Sequence, residues 1–292
     1  MRTAEAISHG AITIVNAMAM GKGAALGINL WTKAKVVLTD VAGEVSACNV
    51  TDPGEGESLL RATVIRVFRK FNVHHNFGAN VETKSNIPIA VGLKSSSAAS
   101  NAVALATATV LGRRMSDLDI VKVAVQSSLD AGVTLTGAFD DACACYFGGL
   151  MVTNNEKKSI MKRYKPSGRS LHVLIYVPPS RRYSGEISRD QFGKIGGLIR
   201  LAHEEARKGN YPVSMTLNGI AYCKVFGFDI SPATEALNEG AIAAGLSGKG
   251  PSIAAIAPTK ATKRVLSVWS AYPGRVIRAR FNFEKAAVRL IH

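Results

Sequence analysis

Apolar positions change period along this chain, and each change marks an element. From Ala11, AITIV carries β-prone residues up to a tight turn at 20–23 (MGKG), and GINLWTKAKVVLTD returns from it. These stretches predict strands of a mostly antiparallel sheet, which GEVSACNV continues before the turn-rich link TDPGEGE. Leu60, Val64, Val67 and Phe71 then recur at helical spacing in ESLLRATVIRVFRKFN, with Glu57 at its positive start. The spacing predicts an amphipathic helix that covers the sheet. VHHNFGANVETKS alternates again. Further on, Leu118, Val121, Val125 and Leu129 form one helical stripe after a cap at Ser116 or Asp117, and GGLMVTNN reads as a strand.

The polar, basic stretch NNEKKSIMKRYKPSGRS predicts a boundary between two domains, residues 1–155 and 156–292. Beyond it come strand LHVLIYV, loop PPSRRYSGEIS, a helix over 192–208 stopped at Gly209, and further helices over 213–226 and 232–244. The turn GLSGKGPS follows, then strand SIAAIA, helix TKATKRVLSVWSAY and a last strand, RVIRARFNF. Strands and helices in this order predict an α+β fold.

Composition narrows the class. The chain has 292 residues, 47% of them hydrophobic, enough for one large core or two ordinary ones. A formal net charge of +15, from 36 Lys and Arg against 21 Asp and Glu, attracts polyanions in general, so nucleic-acid binding competes with an enzyme of anionic metabolites. Against nucleic acid, aromatics are only 7%, the cations are scattered, and no zinc-finger or RNP pattern occurs. Cys48, Cys143, Cys145 and Cys223 lack CxxC spacing, so zinc is not expected and a reduced, cytoplasmic setting is. Cys143 and Cys145 read as core. The start MRTAEAISHG has no signal-peptide layout, and no apolar run reaches the ~18 residues of a membrane span. His74 and His75 are adjacent, which in a strand sends them to opposite faces and away from a shared metal.

The candidate chemistry centres on PIAVGLKSSSAA, at 88–99, an apolar strand end followed by a glycine turn, three hydroxyls and the small-residue helix SAASNAVALATATVLG. Gly92 can bring backbone amides close to an anion, and the serines fall where helix N–H groups are unpaired, so the stretch suits a phosphate. Taken alone it also reads as a serine cap on an alanine-rich helix. It is neither a Walker loop nor a GxGxxG turn. A second glycine-rich turn, GLSGKGPS at 245–252, and an aspartate pair in GAFDDACACYFGG at 137–149 favour the phosphate reading. Asp130 ends its predicted helix, where a carboxylate opposes the dipole and attracts a cation.

In this order PIAVGLKSSSAA, GAFDDACACYFGG and GLSGKGPS resemble the motifs of the GHMP small-molecule kinases. Within them, SHGAITIVNAMAMGKGAALGI, VETKSNIPIAVGLKSSSAASNAV and NEGAIAAGLSGKGPS are most similar to the archaeal type of shikimate kinase. The resemblance implies two domains, an N-terminal one like domain 2 of ribosomal protein S5 and a ferredoxin-like C-terminal one. It implies ATP and Mg2+ as cofactors, shikimate as acceptor, and shikimate 3-phosphate, on the chorismate route to aromatic amino acids, as product. Homoserine is the alternative acceptor, and a basic RNA-binding protein of S5-like fold the alternative class. No membrane or nucleic-acid partner is implied, and the oligomeric state is left open.

Carried over residue by residue, the resemblance lays the ATP phosphates over Ile87, Pro88, Ile89, Ala90, Val91, Gly92, Leu93, Lys94, Ser95, Ser96 and Ser97. Gly248 and Gly250 close over them from the second domain. Ser96 and Asp130 become magnesium ligands, and Asp141, counted back from Gly148, becomes the residue nearest the acceptor hydroxyl, with Asp140 the neighbouring alternative. Two departures stand out. Lys94 occupies a position usually held by Gly or Ser, where it adds a phosphate contact or points to solvent. The lysine that several members carry in the first motif is matched here by Ala11, with Lys22 the candidate substitute. The substrate carboxylate needs a cation, for which Lys22, Arg181 and Arg182 are available.

Overall fold

The computed structural model describes residues 2–134, 136–167, 170–180 and 189–291. Arg181 and Arg182 lie outside the described residues. A long antiparallel hairpin forms the spine: β1 (Thr3–Val15) and β2 (Lys22–Thr39), joined through a 3-10 turn at Ala17–Ala19. The strand begins well before the AITIV stretch that predicted it. Its first half, TAEAIS, alternates polar residues with alanine, a weak strand former, so the sequence pattern there is faint.

β3 (Val45–Asn49) and β4 (Gly78–Ser85) are parallel, with α1 (Glu57–Lys70) connecting them as parallel pairs require. His74 and His75 sit in the turn before β4 rather than in a strand, with ring centroids 3.7 Å apart. Three helices follow: α2 (Ser95–Val110), α3 (Asp117–Asp130) and α4 (Phe139–Phe147). Next are β5 (Leu150–Asn154) and β6 (Ser159–Tyr164), and then β7 (Leu171–Val177), α5 (Gly196–Arg207), α6 (Tyr211–Phe226) and α7 (Ser231–Asn238). The chain continues through β8 (Ala243–Leu246), β9 (Ile253–Pro258), α8 (Thr259–Trp269), β10 (Arg275–Ala279) and β11 (Ala287–Ile291). The helix expected over 232–244 therefore stops at Asn238. Gly240, at φ 94°, turns the chain, and the apolar run AAGL pairs with β9 instead.

Among the described residues, seven strands form one sheet in the order β11-β1-β2-β4-β3, with β5 on the other end of β2 and β6 beside it. A second, antiparallel sheet runs β10-β7-β9-β8. Two segments from the C-terminal side of residue 155 belong to the first sheet: β6 pairs with β5, and β11 returns to pair with β1. The inner half of β1 is buried on both faces, because α2 and α4 pack on it from one side and α5 and α6 from the other. One continuous apolar core therefore runs from Ile12 and Phe139 through Tyr222 to Trp269, across both sheets. Polar side chains set into that inner strand can only face a cavity or a buried partner.

Candidate active site

At the inner end of β1 the pairing with β2 shifts register between Thr13 and Val15. A bulge of this kind re-aims a side chain. Thr13, 1% exposed, lines a cavity of about 380 Å3 together with the first turns of α2 and α4 and with Gly248, Lys249 and Gly250.

α2 starts without a side-chain cap. Its N-cap residue is Lys94, in the left-handed conformation (φ 67°, ψ 31°), and Ser95, Ser96 and Ser97 are its first helical residues. The serines are thus not the cap. The first helical bond here runs from Ala98 N–H to Lys94 O at 3.0 Å, so the amides of the three serines lack helical partners beside the cavity they line. Gly92, at φ 88°, lies so close to the second glycine turn that a Cβ would collide with the carbonyl oxygen of Ser247. That turn is clamped onto the loop and onto β1. Ser247 Oγ donates to Gly92 O at 2.8 Å, Gly248 N–H donates to Thr13 Oγ1 at 2.8 Å, and Asn16 Nδ2 donates to Gly248 O at 2.9 Å.

The aspartate pair occupies the first turn of α4, entered through left-handed Ala138 (φ 47°), where the helix dipole favours carboxylates. Asp141 Oδ1 lies 3.1 Å from Lys94 Nζ, and that ammonium, on a side chain only 6% exposed, also donates to Thr13 Oγ1 at 2.6 Å. Asp140 is buried and accepts from Asn155 Nδ2 at 2.7 Å; Asn155 Oδ1 accepts in turn from Thr153 Oγ1 at 2.7 Å, which fixes the amide. Burial first, and then the charge of Asp141, push the Asp140 carboxyl up to about 7, against the Asn155 hydrogen bond and the Lys94 charge. Two neighbouring carboxylates thus sit in unlike surroundings, the more accessible one paired with an ammonium.

Residues 58–149 match the GHMP kinases N terminal domain. The chain is 40% identical over 279 residues to a shikimate kinase of Methanothrix thermoacetophila, a match that spans 94% of this chain and 92% of the relative. It is 41% identical over 268 residues to a shikimate kinase of Pyrococcus furiosus, spanning 91% and 95% of the two chains. The chain belongs to the GHMP kinase family. Among solved structures, the homoserine kinase of Cytophaga hutchinsonii has a TM-score of 0.74 at 17% identity, over 98% of this chain and 97% of the other. The mevalonate kinase of Methanococcus jannaschii has a TM-score of 0.72 at 15% identity, over 95% and 98%. At such identities the likeness is one of fold, and the α+β architecture of this GHMP kinase is the fold those enzymes share. As a GHMP kinase, the protein uses ATP.

The cavity gathers most, though not all, of the residues expected from sequence. Ile89, Ala90, Gly92, Lys94, the three serines, Asp140, Asp141, Gly248 and Gly250 line the one cavity. Ile87, Val91 and Leu93 instead turn into the core and anchor the loop, while Ile87, Pro88, Ile89 and Val91 border a second cavity of about 490 Å3. Asp130, expected as a magnesium ligand, is not among the residues that line this cavity. Its carboxylate is paired with Arg66 and accepts from Gln126 Nε2 at 3.3 Å, outside the cavity. Lys22 also stays outside; after burial, its charge is the largest influence holding His203 below its usual pKa. Lys94, which sequence left between a phosphate contact and solvent, is the cation beside Asp141.

Thr13, Asn16 and Asn155 were missed from sequence. The available signal was that Thr13 is the polar residue of the otherwise apolar stretch AITIV, whereas Asn155 was hidden in a stretch read as linker. Cys143 and Cys145 are buried in α4, where burial pushes both thiols well above their usual pKa, as inert core residues. Among the described residues, no cluster of three or more His, Cys, Asp or Glu is arranged to hold a metal, and no helix is long and apolar enough to cross a membrane. The cavity does offer hard oxygens from Ser96 and the aspartates. These fit Mg2+, which takes one or two protein oxygens and fills its shell with phosphate and water.

Proposed function

We propose that this GHMP kinase transfers the γ-phosphoryl group of ATP to a hydroxyl of shikimate, giving shikimate 3-phosphate and ADP. The observation that carries the acceptor is the near-full-length identity, 40% and 41%, to relatives bearing the name shikimate kinase. The site supports the chemistry. The triphosphate lies over the uncapped first turn of α2, where the amides of Ser95, Ser96 and Ser97 and the positive helix end meet its charge. Gly248 and Gly250 close the far side. Ser96 would help to hold Mg2+, which would supply charge neutralisation on the phosphates.

Asp141 takes the proton of the acceptor hydroxyl as its oxygen bonds to the γ-phosphorus and the bond from that phosphorus to the bridging oxygen of ADP breaks. A positioned base of this kind contributes about 10²- to 10⁴-fold. Lys94 offsets the negative charge that gathers between carboxylate, acceptor oxygen and phosphoryl group, the task that the missing first-motif lysine at Ala11 leaves open. Asp140, with its carboxyl up at about 7, crowds that point with less negative charge than an ordinary aspartate. The net charge of +15 draws both anionic substrates toward the protein.

The test is ADP release with shikimate, homoserine and mevalonate at equal concentration, with the product identified by mass. Shikimate should be the preferred acceptor and gain one phosphoryl group. Preference for homoserine or mevalonate would replace the acceptor and leave the kinase chemistry in place. Transfer to none of them, with salt-sensitive RNA binding instead, would overturn both.

A further inference from the structure

We propose that Thr13 is a positioning residue of the phosphoryl transfer: its hydroxyl sets Lys94 against Asp141 and makes that setting depend on the second glycine turn. The inference rests on the roles given above to Lys94 and Asp141. Lysine is a flexible side chain with four rotatable bonds, and here it springs from a left-handed residue at the mouth of a helix. Both aspartates are within reach of its charge, since Lys94 acts electrostatically on Asp140 as well as pairing with Asp141. An anchor is needed to hold the ammonium on the Asp141 side.

Thr13 supplies that anchor. Its Oγ1 accepts from Lys94 Nζ at 2.6 Å and from Gly248 N–H at 2.8 Å, so both lone pairs are taken by N–H donors, one from each side of the cavity. Lys94 spends one N–H on Thr13 and faces Asp141 Oδ1 as a charge 3.1 Å away, which leaves N–H capacity for a phosphate oxygen. Thr13 itself cannot drift, because its backbone N–H donates to Ser247 Oγ at 3.2 Å and its strand is buried on both faces. The same hydroxyl therefore joins the lysine to the turn that closes over the phosphates. Should the turn move away, Thr13 loses one of the two donors that orient it.

The experiment is a double-mutant cycle on steady-state kinetics with ATP and shikimate, using Thr13→Val, Thr13→Ser, Lys94→Met and the Thr13→Val/Lys94→Met pair. Valine keeps the shape and the backbone bond to Ser247 but cannot accept from the ammonium. Thr13→Val should lower kcat by about 10- to 100-fold with KM for ATP changed by less than about threefold, and Thr13→Ser should return kcat to within about threefold of the wild type. Added to Lys94→Met, Thr13→Val should cost less than about twofold more. Normal turnover in Thr13→Val, a serine variant as slow as the valine one, or additive losses in the pair would each overturn the proposal while Lys94→Met remains slow. Normal turnover in Lys94→Met would overturn the role of Lys94 itself, and that of Thr13 with it.

Discussion

Lys94 stands at the N-cap position of α2 and Asp141 lies in the first turn of α4, yet their Nζ and Oδ1 atoms meet 3.1 Å apart in one cavity. Two helix N-termini thus converge on the same point, one suited to a phosphate and the other carrying the carboxylate proposed as the base. Lys94→Met keeps the length and apolar stem of the side chain and removes its charge. Turnover should fall by about 10²-fold or more with a smaller change in ATP affinity, since the ammonium acts most where charge develops. Steady-state kinetics beside nucleotide titration will decide it, and equal losses in both would assign Lys94 to ground-state binding.

Asp140 makes stability depend on pH. Its carboxyl is raised from the ordinary 3.8 to about 7 in the fold, so between these values the folded chain keeps a proton that the unfolded chain has released. The stability tied to this group is fully present below about pH 4 and is lost as pH rises through about 7. Asp140→Asn cannot ionise, so its Tm relative to the wild type should climb from pH 4 to pH 8. Parallel Tm profiles over that range would contradict the assigned environment.

Gly92→Ala tests the meeting of the two glycine turns. Alanine in a left-handed conformation costs roughly 1–2 kcal/mol, and its Cβ would press on the Ser247 carbonyl as well. The variant should melt lower and show a KM for ATP raised about tenfold or more, because the turn carrying Gly248 is pushed off the phosphate site. An unchanged KM for ATP would separate that turn from nucleotide binding.

Asp130→Asn should matter little. The Arg66–Asp130 pair is about a third exposed on both sides, and such pairs contribute about 0–1 kcal/mol. Turnover and the Mg2+ concentration needed for half-maximal rate should stay within twofold of the wild type. A tenfold rise in the Mg2+ concentration needed would return Asp130 to the metal.

How far the sequence reached can be traced to the kind of signal each residue gives. The helices at 57–70 and 117–130 were legible because their periods are strong, α2 because small helix-forming residues follow its serines, and the glycine turns because Gly92 and Gly248 stand in recognisable motifs. The start of β1 was not, since alanines alternating with polar residues carry little strand signal. The return of β11 to the first sheet was not either, because pairing between Thr3 and Ile291 depends on tertiary packing alone. At the site, Asp141 could be counted from a motif. The cation beside it could not, because Lys94 reaches Asp141 only when α2 and α4 present their first turns to one cavity, and the strand carrying Thr13 holds it there. The partner of Asp130 was hidden for the same reason: its spacing from Asp141 is visible in the chain, whereas Arg66, far away in sequence, meets it only in the fold.

The most direct test is a single-turnover measurement with γ-labelled ATP, excess enzyme and shikimate, comparing the wild type with Asp141→Asn. The wild type should move the label to shikimate, and Asp141→Asn, which keeps the shape but cannot take the proton, should do so about 10²-fold or more slowly with nucleotide binding nearly unchanged. Label transfer at equal rates in the two proteins, or no labelled shikimate from the wild type, would contradict the account.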